Sequence, residues 1–353
     1  MENRFAPRFE RAPHKYRREG TEFIDGYSIP EFLELSQSIG AKPWVVMPTT
    51  YSPTQAERFG GLMAKALQKA GVTRWVLEFG NENWNTVFGA AGFQKLAHHQ
   101  QAFSKAKAAF TKGFAEANLP DVKPPLWLAN AQFVNPYSQA ATLSAFKGLD
   151  GVAVASYSAF SLSETASTPA SLFDSEHASR WARWERLAKP AKVGLWSAEV
   201  NLHALSGSLA TSKRVAMLSS PDAETAVIDN VVTGWISGAP VQLLYSLAAF
   251  DTHDVNDGLV PLFGVLRDLT GTLQLRPAGR AMQRLNQWLG HESREVAVLP
   301  SESQVLAVAQ RPVGASGCNS TSVVLVNRSA NPEIFTVPAK QNAGRILVHQ
   351  DGV

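Results

Sequence analysis

Val76-Leu77-Glu78-Phe79-Gly80-Asn81-Glu82-Asn83-Trp84-Asn85 is the stretch on which the fold turns. An apolar run that reads as a buried strand ends abruptly in Gly-Asn-Glu, and a Trp follows two residues later. Period-2 alternation puts Glu78, Gly80 and Glu82 on one face, and Leu77, Phe79 and Asn81 on the other. Core strands usually end in turn residues. A carboxylate beside a side-chain amide and an aromatic ring is what an α/β barrel carries at the C-terminal ends of its strands, where its chemistry sits. Glu82 is therefore the candidate acid/base. The structural alternative is a strand-end Glu that caps the next helix.

Working outward, strand-like and helix-like runs alternate. Residues 31–39 read as a helix with Phe32, Leu33, Leu35 and Ile39 inward, and Pro43 to Met47 as a short strand. Ser52-Pro53 starts a helix, with Ser52 as N-cap, Pro53 at the first helical position and Gln55 completing a capping box. Phe59, Leu62, Met63, Ala66, Leu67 and Ala70 make its buried stripe, and Gly71 ends it. Strand Arg74 to Gly80 is followed by an Ala-rich helix over 91–117, strand Leu126 to Phe133, a short helix over 143–149 and strand Gly151 to Tyr157. Then come helix 176–187, strand Val193 to Glu199, helix 222–237, strand Val241 to Leu247 and a last helix near 277–289. Strands separated by helices imply parallel βαβ units. An open doubly wound sheet is the competing topology, but no Gly-rich dinucleotide fingerprint follows the first strand. The predicted fold is an α/β protein with a (β/α)8 TIM-type barrel. Strands 1 and 2 should precede Pro43, where residues 1–28 offer a charged arm and only the short Glu22-Phe23-Ile24. After Gly290 the helices stop, and five short strands, the last two at Glu333–Val337 and Arg345–His349, predict a small antiparallel β domain of sandwich type. The expected divisions are thus an arm over 1–28, a barrel over 29–290 and a β domain over 291–353.

Composition narrows the function classes. The chain has 353 residues, 45% of them hydrophobic, enough for a sizeable core. No run approaches ~20 unbroken apolar residues, so no membrane span is expected. The net charge of +3 and the absence of a binding motif argue against nucleic acid as a partner. Arg4, Arg8, Arg11, Lys15, Arg17 and Arg18 read as a solvated arm. Cys318 is the only cysteine, which excludes an intramolecular disulfide and a cysteine-based metal site. His98-His99 lack ligand spacing, and no metal or other cofactor is expected. Asp251, His253 and Asp254 form a polar loop after the last barrel strand; binding of a hydroxyl or a cation is one reading, and a solvated loop is the simpler one. No apolar h-region follows the charged N-terminal segment.

A glycosidic bond is cleaved by two carboxyl groups that flank it. Val193-Gly194-Leu195-Trp196-Ser197-Ala198-Glu199-Val200-Asn201 supplies a second strand ending in a Glu, with Asn201 and His203 beyond it. A structural Glu is the alternative for Glu199 taken alone; two such strand ends in one chain are harder to dismiss. Gly80-Asn81-Glu82, with Glu199 three strand-units later, resembles the clan A retaining glycoside hydrolases. Trp75-Val76-Leu77-Glu78-Phe79-Gly80-Asn81-Glu82 is similar to their α-L-arabinofuranosidase and bacterial cellulase-like branches. So is the segment from Ile29-Pro30-Glu31-Phe32-Leu33-Glu34-Leu35 to Ile39-Gly40-Ala41-Lys42-Pro43.

That resemblance implies a (β/α)8 enzyme in which Glu82, after strand 4, is general acid and then base, and Glu199, after strand 7, is the nucleophile. It implies that Asn81 binds the sugar 2-hydroxyl and that Tyr157, after strand 6, holds an oxygen of the nucleophile. Tyr157 as a rim aromatic is the alternative. Glu78 matches an interior acidic position that needs a buried partner. Trp84, Trp196, Asn201 and His203 are expected to line the sugar site. Tyr245 or Phe250 stands in for the Trp usual after strand 8. The expected function is a retaining glycosidase acting on a plant-type or bacterial polysaccharide or oligosaccharide. Such a polymer implies an extracellular or periplasmic site. A non-catalytic glycan-binding protein derived from such an enzyme, and a barrel lyase or phosphate-dependent enzyme, are the rival readings. The lack of a Gly-rich phosphate loop after the late strands counts against the last.

Overall fold

The computed structural model describes residues 2–12, 14–18, 21–85, 96–135, 143, 146, 148–247, 250–267, 273–289, 293–298, 305–312 and 322–328. Strands β3 (Trp44–Met47), β4 (Val76–Phe79), β5 (Leu126–Ala131), β6 (Gly151–Ser158), β7 (Gly194–Leu202) and β8 (Val241–Leu244) form one six-stranded sheet in the order 3-4-5-6-7-8. The β3–β4, β4–β5, β5–β6 and β7–β8 pairs are parallel. A doubly wound sheet reverses its order at a switch point. Here every neighbour is the next strand in sequence, which is barrel order, and the six units make a partial (β/α)8 barrel.

The chain divides into two compact units, Met1–Val154 with Arg186–Leu195, and Ala155–Glu185 with Trp196–Val353. In the first, helices α1 (Ile29–Ser38), α2 (Pro53–Ala70) and α3 (Leu96–Glu116) accompany β3, β4 and β5. Helix α2 begins where its capping chemistry says: the Gln55 backbone N–H donates to Ser52 Oγ at 3.2 Å, and the Ser52 N–H to Gln55 Oε1 at 2.9 Å. It ends at Gly71, whose φ of 69° is left-handed. Phe59, Met63 and Leu67 are buried, and Phe59 meets Phe110 of α3 edge to face at 5.9 Å. Phe110 in turn stands perpendicular to Trp127 of β5 at 5.3 Å. The stripe expected for α1 is narrower than its apolar positions imply: Leu33 is buried, but Leu35 and Ile39 are 43% and 68% exposed.

Residues 1–28 are more than a charged arm. Strands β1 (His14–Arg18) and β2 (Thr21–Asp25) pair antiparallel, apart from the six-stranded sheet. Arg11 is buried and donates to Glu31 Oε2 at 2.8 Å and to the Ala6 carbonyl at 2.8 Å. Glu31 also accepts the Ser28 N–H at 3.0 Å, so one carboxylate caps α1 and neutralises the buried guanidinium. Those donors hold the Glu31 carboxyl below its usual range although burial opposes them.

The second unit contains β8, the hairpin β9 (Phe250–His253) and β10 (Leu259–Phe263), and helices α4 (His177–Ala191, its first residues only), α5 (Thr211–Leu218), α6 (Pro221–Ile236) and α7 (Pro277–Leu289). Leu162, Leu172, Leu202, Val227, Val232 and Val260 lie in its apolar core. Trp181 and Trp184 of α4 are fully buried. Strands β11 (Ser293–Val298), β12 (Val305–Pro312) and β13 (Ser322–Asn327) form an antiparallel sheet. The expected strands at 333–337 and 345–349 lie outside the described residues, as does Cys318. The expected solvated loop at Asp251, His253 and Asp254 is instead part of the β9–β10 hairpin, with Asp254 buried. Arg214, also buried, donates from Nε to Asp254 Oδ2 at 3.0 Å and to the Ser206, Gly207 and Leu209 carbonyls. A sequence cannot show that a hairpin Asp has a buried Arg to neutralise it. No helix among the described residues is long and apolar enough to cross a membrane.

Close helix packing in the first unit depends on missing side chains. A Cβ on Gly113 would sit 1.8 Å from the Glu57 carbonyl oxygen, and one on Gly60 2.3 Å from that of Phe110. Gly113→Ala must push α2 and α3 apart, at an expected cost of about 1–3 kcal/mol. Urea unfolding measures it; an unchanged midpoint would contradict this packing.

Candidate active site

Glu82 lies three residues beyond the end of β4. Gly80 turns the chain out of the strand with φ 74°, and its N–H donates to the Met47 carbonyl at 2.8 Å. A Cβ there would stand 2.2 Å from Asn83 Oδ1 and 2.5 Å from Thr49 Cγ2, so the turn requires glycine for space as well as for φ. Glu82 is itself left-handed, with φ 41°. A non-glycine residue in that region carries strain of order 1 kcal/mol or more, and such strain gathers at functional sites. Asn85 Nδ2 donates to Glu82 Oε2 at 3.0 Å, and the Asn85 N–H to the Glu82 carbonyl at 2.8 Å. Asn81, Glu82 and Trp84 are half-buried. Trp84 Nε1 is enclosed and finds no acceptor among the described residues.

Behind this turn lies a buried polar group that the sequence reading missed. The Asn83 N–H donates to Asn130 Oδ1 at 2.8 Å, and Asn130 Nδ2 to the Phe79 carbonyl at 3.1 Å. Asn83 Nδ2 donates to the same carbonyl at 2.8 Å and lies 3.0 Å from His99 Nε2. That contact makes Nε2 an acceptor, so the ring is neutral with its proton on Nδ1. Burial agrees, pushing the His99 pKa down to about 4. Polar residues at helical and strand positions carry no local signal of their partners, so only the side-chain amide after Glu82 hinted at this group. Glu78, for which the sequence named no partner, is buried and accepts Trp44 Nε1–H at 3.0 Å.

In the second unit, β7 runs past Glu199 to Leu202, so Glu199 is not its last residue as expected. The β7–β8 register shifts between Ser197 and Val200. An irregularity of this kind re-aims a side chain out of the regular alternation. Tyr157 of β6 donates its phenol O–H to Glu199 Oε2 at 2.5 Å, a short charge-assisted bond that fixes the carboxylate's orientation. Buried Ser156 and Ser197 pair through their hydroxyls at 2.7 Å. The half-buried His203 packs edge-on to the Tyr157 ring at 6.1 Å and beside Phe160 at 5.2 Å. Burial lowers its pKa, and Nδ1 finds no partner among the described residues.

The other expected sugar contacts divide. Tyr245 follows β8, with its ring 5.3 Å from Phe263. Phe250 opens β9 opposite Phe263, and its side chain lies outside the described residues. Asn201 does not face a ligand: it is buried, with Nδ2 donating to the Tyr245 carbonyl at 2.6 Å and Oδ1 accepting the Leu202 N–H at 2.8 Å. It braces the ends of β7 and β8. Trp196 is placed away from the strand ends. It pairs with Val241, the first residue of β8, and stands about 10 Å before Glu199 at ~3.3 Å per residue. A run of apolar residues does not say how far a strand extends, and β7 continues three residues beyond its expected end at Glu199, which places Asn201 inside it. Among the described residues no three His, Cys, Asp or Glu side chains come together as a metal site.

Solved structures with this fold are glycoside hydrolases of clan A, the group that the Gly80-Asn81-Glu82 strand end resembles. The GH51 arabinofuranosidase from Xanthomonas axonopodis pv. citri aligns over 94% of this chain and 70% of its own, with a TM-score of 0.62 and 11% identity. The family 51 α-L-arabinofuranosidase from Bifidobacterium longum aligns over 94% and 71%, with 0.60 and 12%. A glucosidase from Croceicoccus marinus aligns over 82% and 59%, with 0.51 and 13%. At these identities the likeness is one of fold. No family model matches the sequence, and no curated protein matches it by sequence.

Two buried histidines give this architecture a pH signature. His177 accepts Trp181 Nε1–H at 3.1 Å, and burial lowers its pKa to about 3, helped by Arg180 and Arg328. His99 and His177 both titrate below the ordinary 6.5. Between there and their folded values the unfolded chain binds more protons, so stability is full above pH ~6.5 and falls as pH drops. His99 alone contributes about 3 kcal/mol of this loss by pH ~4. In an NMR titration both imidazoles should stay neutral at pH 5; a midpoint near 6.5 for His99 would contradict the buried acceptor.

Proposed function

We propose that the chain is a retaining glycoside hydrolase, with Glu199 as nucleophile and Glu82 as acid/base. The observation that carries this reading is the 2.5 Å hydrogen bond from Tyr157 to Glu199 Oε2, which orients the carboxyl group of a residue near the C-terminal end of β7. The left-handed Glu82 after β4 supports it.

Double displacement assigns the steps. Glu199 attacks the anomeric carbon, and the bond to the leaving oxygen breaks as Glu82 delivers its proton there. The glycosyl-enzyme ester leaves Glu82 ionised. Glu82 then takes a proton from water, the water oxygen attacks the same carbon, and Glu199 departs as carboxylate. The mechanism requires the two carboxyl groups ~5–5.5 Å apart. Asn85, donating to Glu82 Oε2, helps to orient the carboxyl group. Asn81 is assigned to the sugar 2-hydroxyl, and Trp84, His203, Tyr245 and Phe250 to the sugar's faces and remaining hydroxyls. The substrate is a plant-type or bacterial polysaccharide or oligosaccharide. Because two of the solved structures, each aligned over 94% of this chain, are named arabinofuranosidases, α-L-arabinofuranosides are the first substrates to try.

Kinetics on aryl arabinofuranosides and glucosides test the roles. Glu82→Ala is expected to lose about 10²–10⁴-fold on poor leaving groups and far less in the first step on activated ones. Glu199→Ala should remove turnover on both. Full activity in both variants on every glycan that the parent cleaves would end the assignment.

A further inference from the structure

We propose that Asn83, Asn130 and His99 are positioning residues that hold Glu82 in its left-handed backbone conformation. The functional side of this inference rests on Glu82 being the acid/base.

The peptide after Glu82 is held from both sides. Its carbonyl accepts the Asn85 N–H at 2.8 Å, and its N–H, that of Asn83, donates to Asn130 Oδ1 at 2.8 Å. Asn130 lies in β5 and is anchored in turn by donating to the Phe79 carbonyl. The Asn83 side chain folds back under Gly80 and spends one amide N–H on Phe79 and the other on His99. His99 comes from α3, with its ring stacked on Phe79 at 5.9 Å and edge-on to Phe146 at 5.2 Å. All three residues are buried: Asn83 is 1% exposed, His99 5% and Asn130 7%. Two strands and a helix thus converge on one peptide unit of a short turn.

That convergence fixes the orientation of the peptide after Glu82, and through it the backbone of a residue whose φ is unfavourable. Without the Asn130 acceptor the Asn83 N–H is buried and unpaired, and the turn lowers its energy by rotating that peptide, through the Glu82 ψ, toward another acceptor. Rotation about Glu82 swings its side chain. A proton donor displaced by about 1 Å can lose ~10²-fold in rate. Amides that only stabilised the fold would affect all substrates alike.

The test uses phenyl and 2,4-dinitrophenyl glycosides of α-L-arabinofuranose and glucose with the full chain. Asn130→Leu removes the acceptor at similar volume; His99→Phe keeps the ring packing and removes the other. Each is expected to lower kcat/KM on the phenyl glycoside about 10–100-fold and on the dinitrophenyl glycoside less than about 3-fold. His99→Gln, which retains an acceptor, should stay within about 3-fold of the parent on both. In a crystal structure of Asn130→Leu, Glu82 should leave the left-handed region. Equal losses on the two glycosides, no loss, or a Glu82 backbone and following peptide left unmoved would overturn the inference. If Asn130→Leu does not fold, His99→Phe carries both readouts. Glu82→Ala in the same panel separates the two failures. If it does not discriminate between leaving groups, the acid/base reading is wrong, whereas the Glu82 backbone in the crystal structure still decides the positioning claim.

Discussion

Hydrogen bonding between neighbouring parallel strands is the constraint on which the rest of this structure depends. Parallel neighbours cannot be joined by a tight turn, so each strand must be followed by a crossover. Helices α2 and α3 are crossovers of this kind, and the apolar stripe of α2 is buried, with Phe59 packed against Phe110 of α3. The same constraint fixes where a strand can stop being part of the core. Beyond Phe79 the ladder ends, and the chain is released to place polar side chains.

How the release is made determines what each end can do. After β4 the strand ends in two successive departures from ordinary backbone, Gly80 and Glu82, with Asn83 packed beneath them. Buried amides hold the turn rather than apolar packing, which suits a position that must be exact in direction. Within β7 the solution differs. The strand continues, its register with β8 shifts, and a neighbouring phenol takes hold of the carboxylate. One carboxyl group is placed by its backbone and the other by its side chain. Under the proposed roles, that difference suits an acid that must exchange protons with leaving group and water, and a nucleophile that must keep one line of attack.

Much of this was legible in the sequence. Alternating apolar runs and capping signals located the six sheet strands to within a few residues, because period and cap chemistry are local. Ser52, Pro53, Gln55 and Gly71 act where local rules place them. What stayed hidden was every partnership made at long range. Asp254 reads as loop polarity until Arg214 is seen beside it. Asn201 reads as a ligand contact until its amide is found on Tyr245. His99 has no ligand spacing, and its acceptor role depends on an Asn from another element. The β1–β2 hairpin was obscured because its charged residues outweigh Tyr16, Phe23 and Ile24 in composition while strand pairing depends on their alternation. Glu82 and Glu199 stood out in the sequence because their residue type conflicts with the apolar run before them, and conflict is visible without coordinates.

The central claim is that Glu199 becomes covalently attached to the sugar during turnover. Incubation with an activated 2-deoxy-2-fluoro glycoside, followed by proteolysis and mass spectrometry, tests it most directly. The account predicts one sugar adduct per chain, on the Glu199 carboxylate, and none in Glu199→Gln. An adduct on another residue, or turnover with no covalent intermediate and an inverted anomeric product, would contradict it.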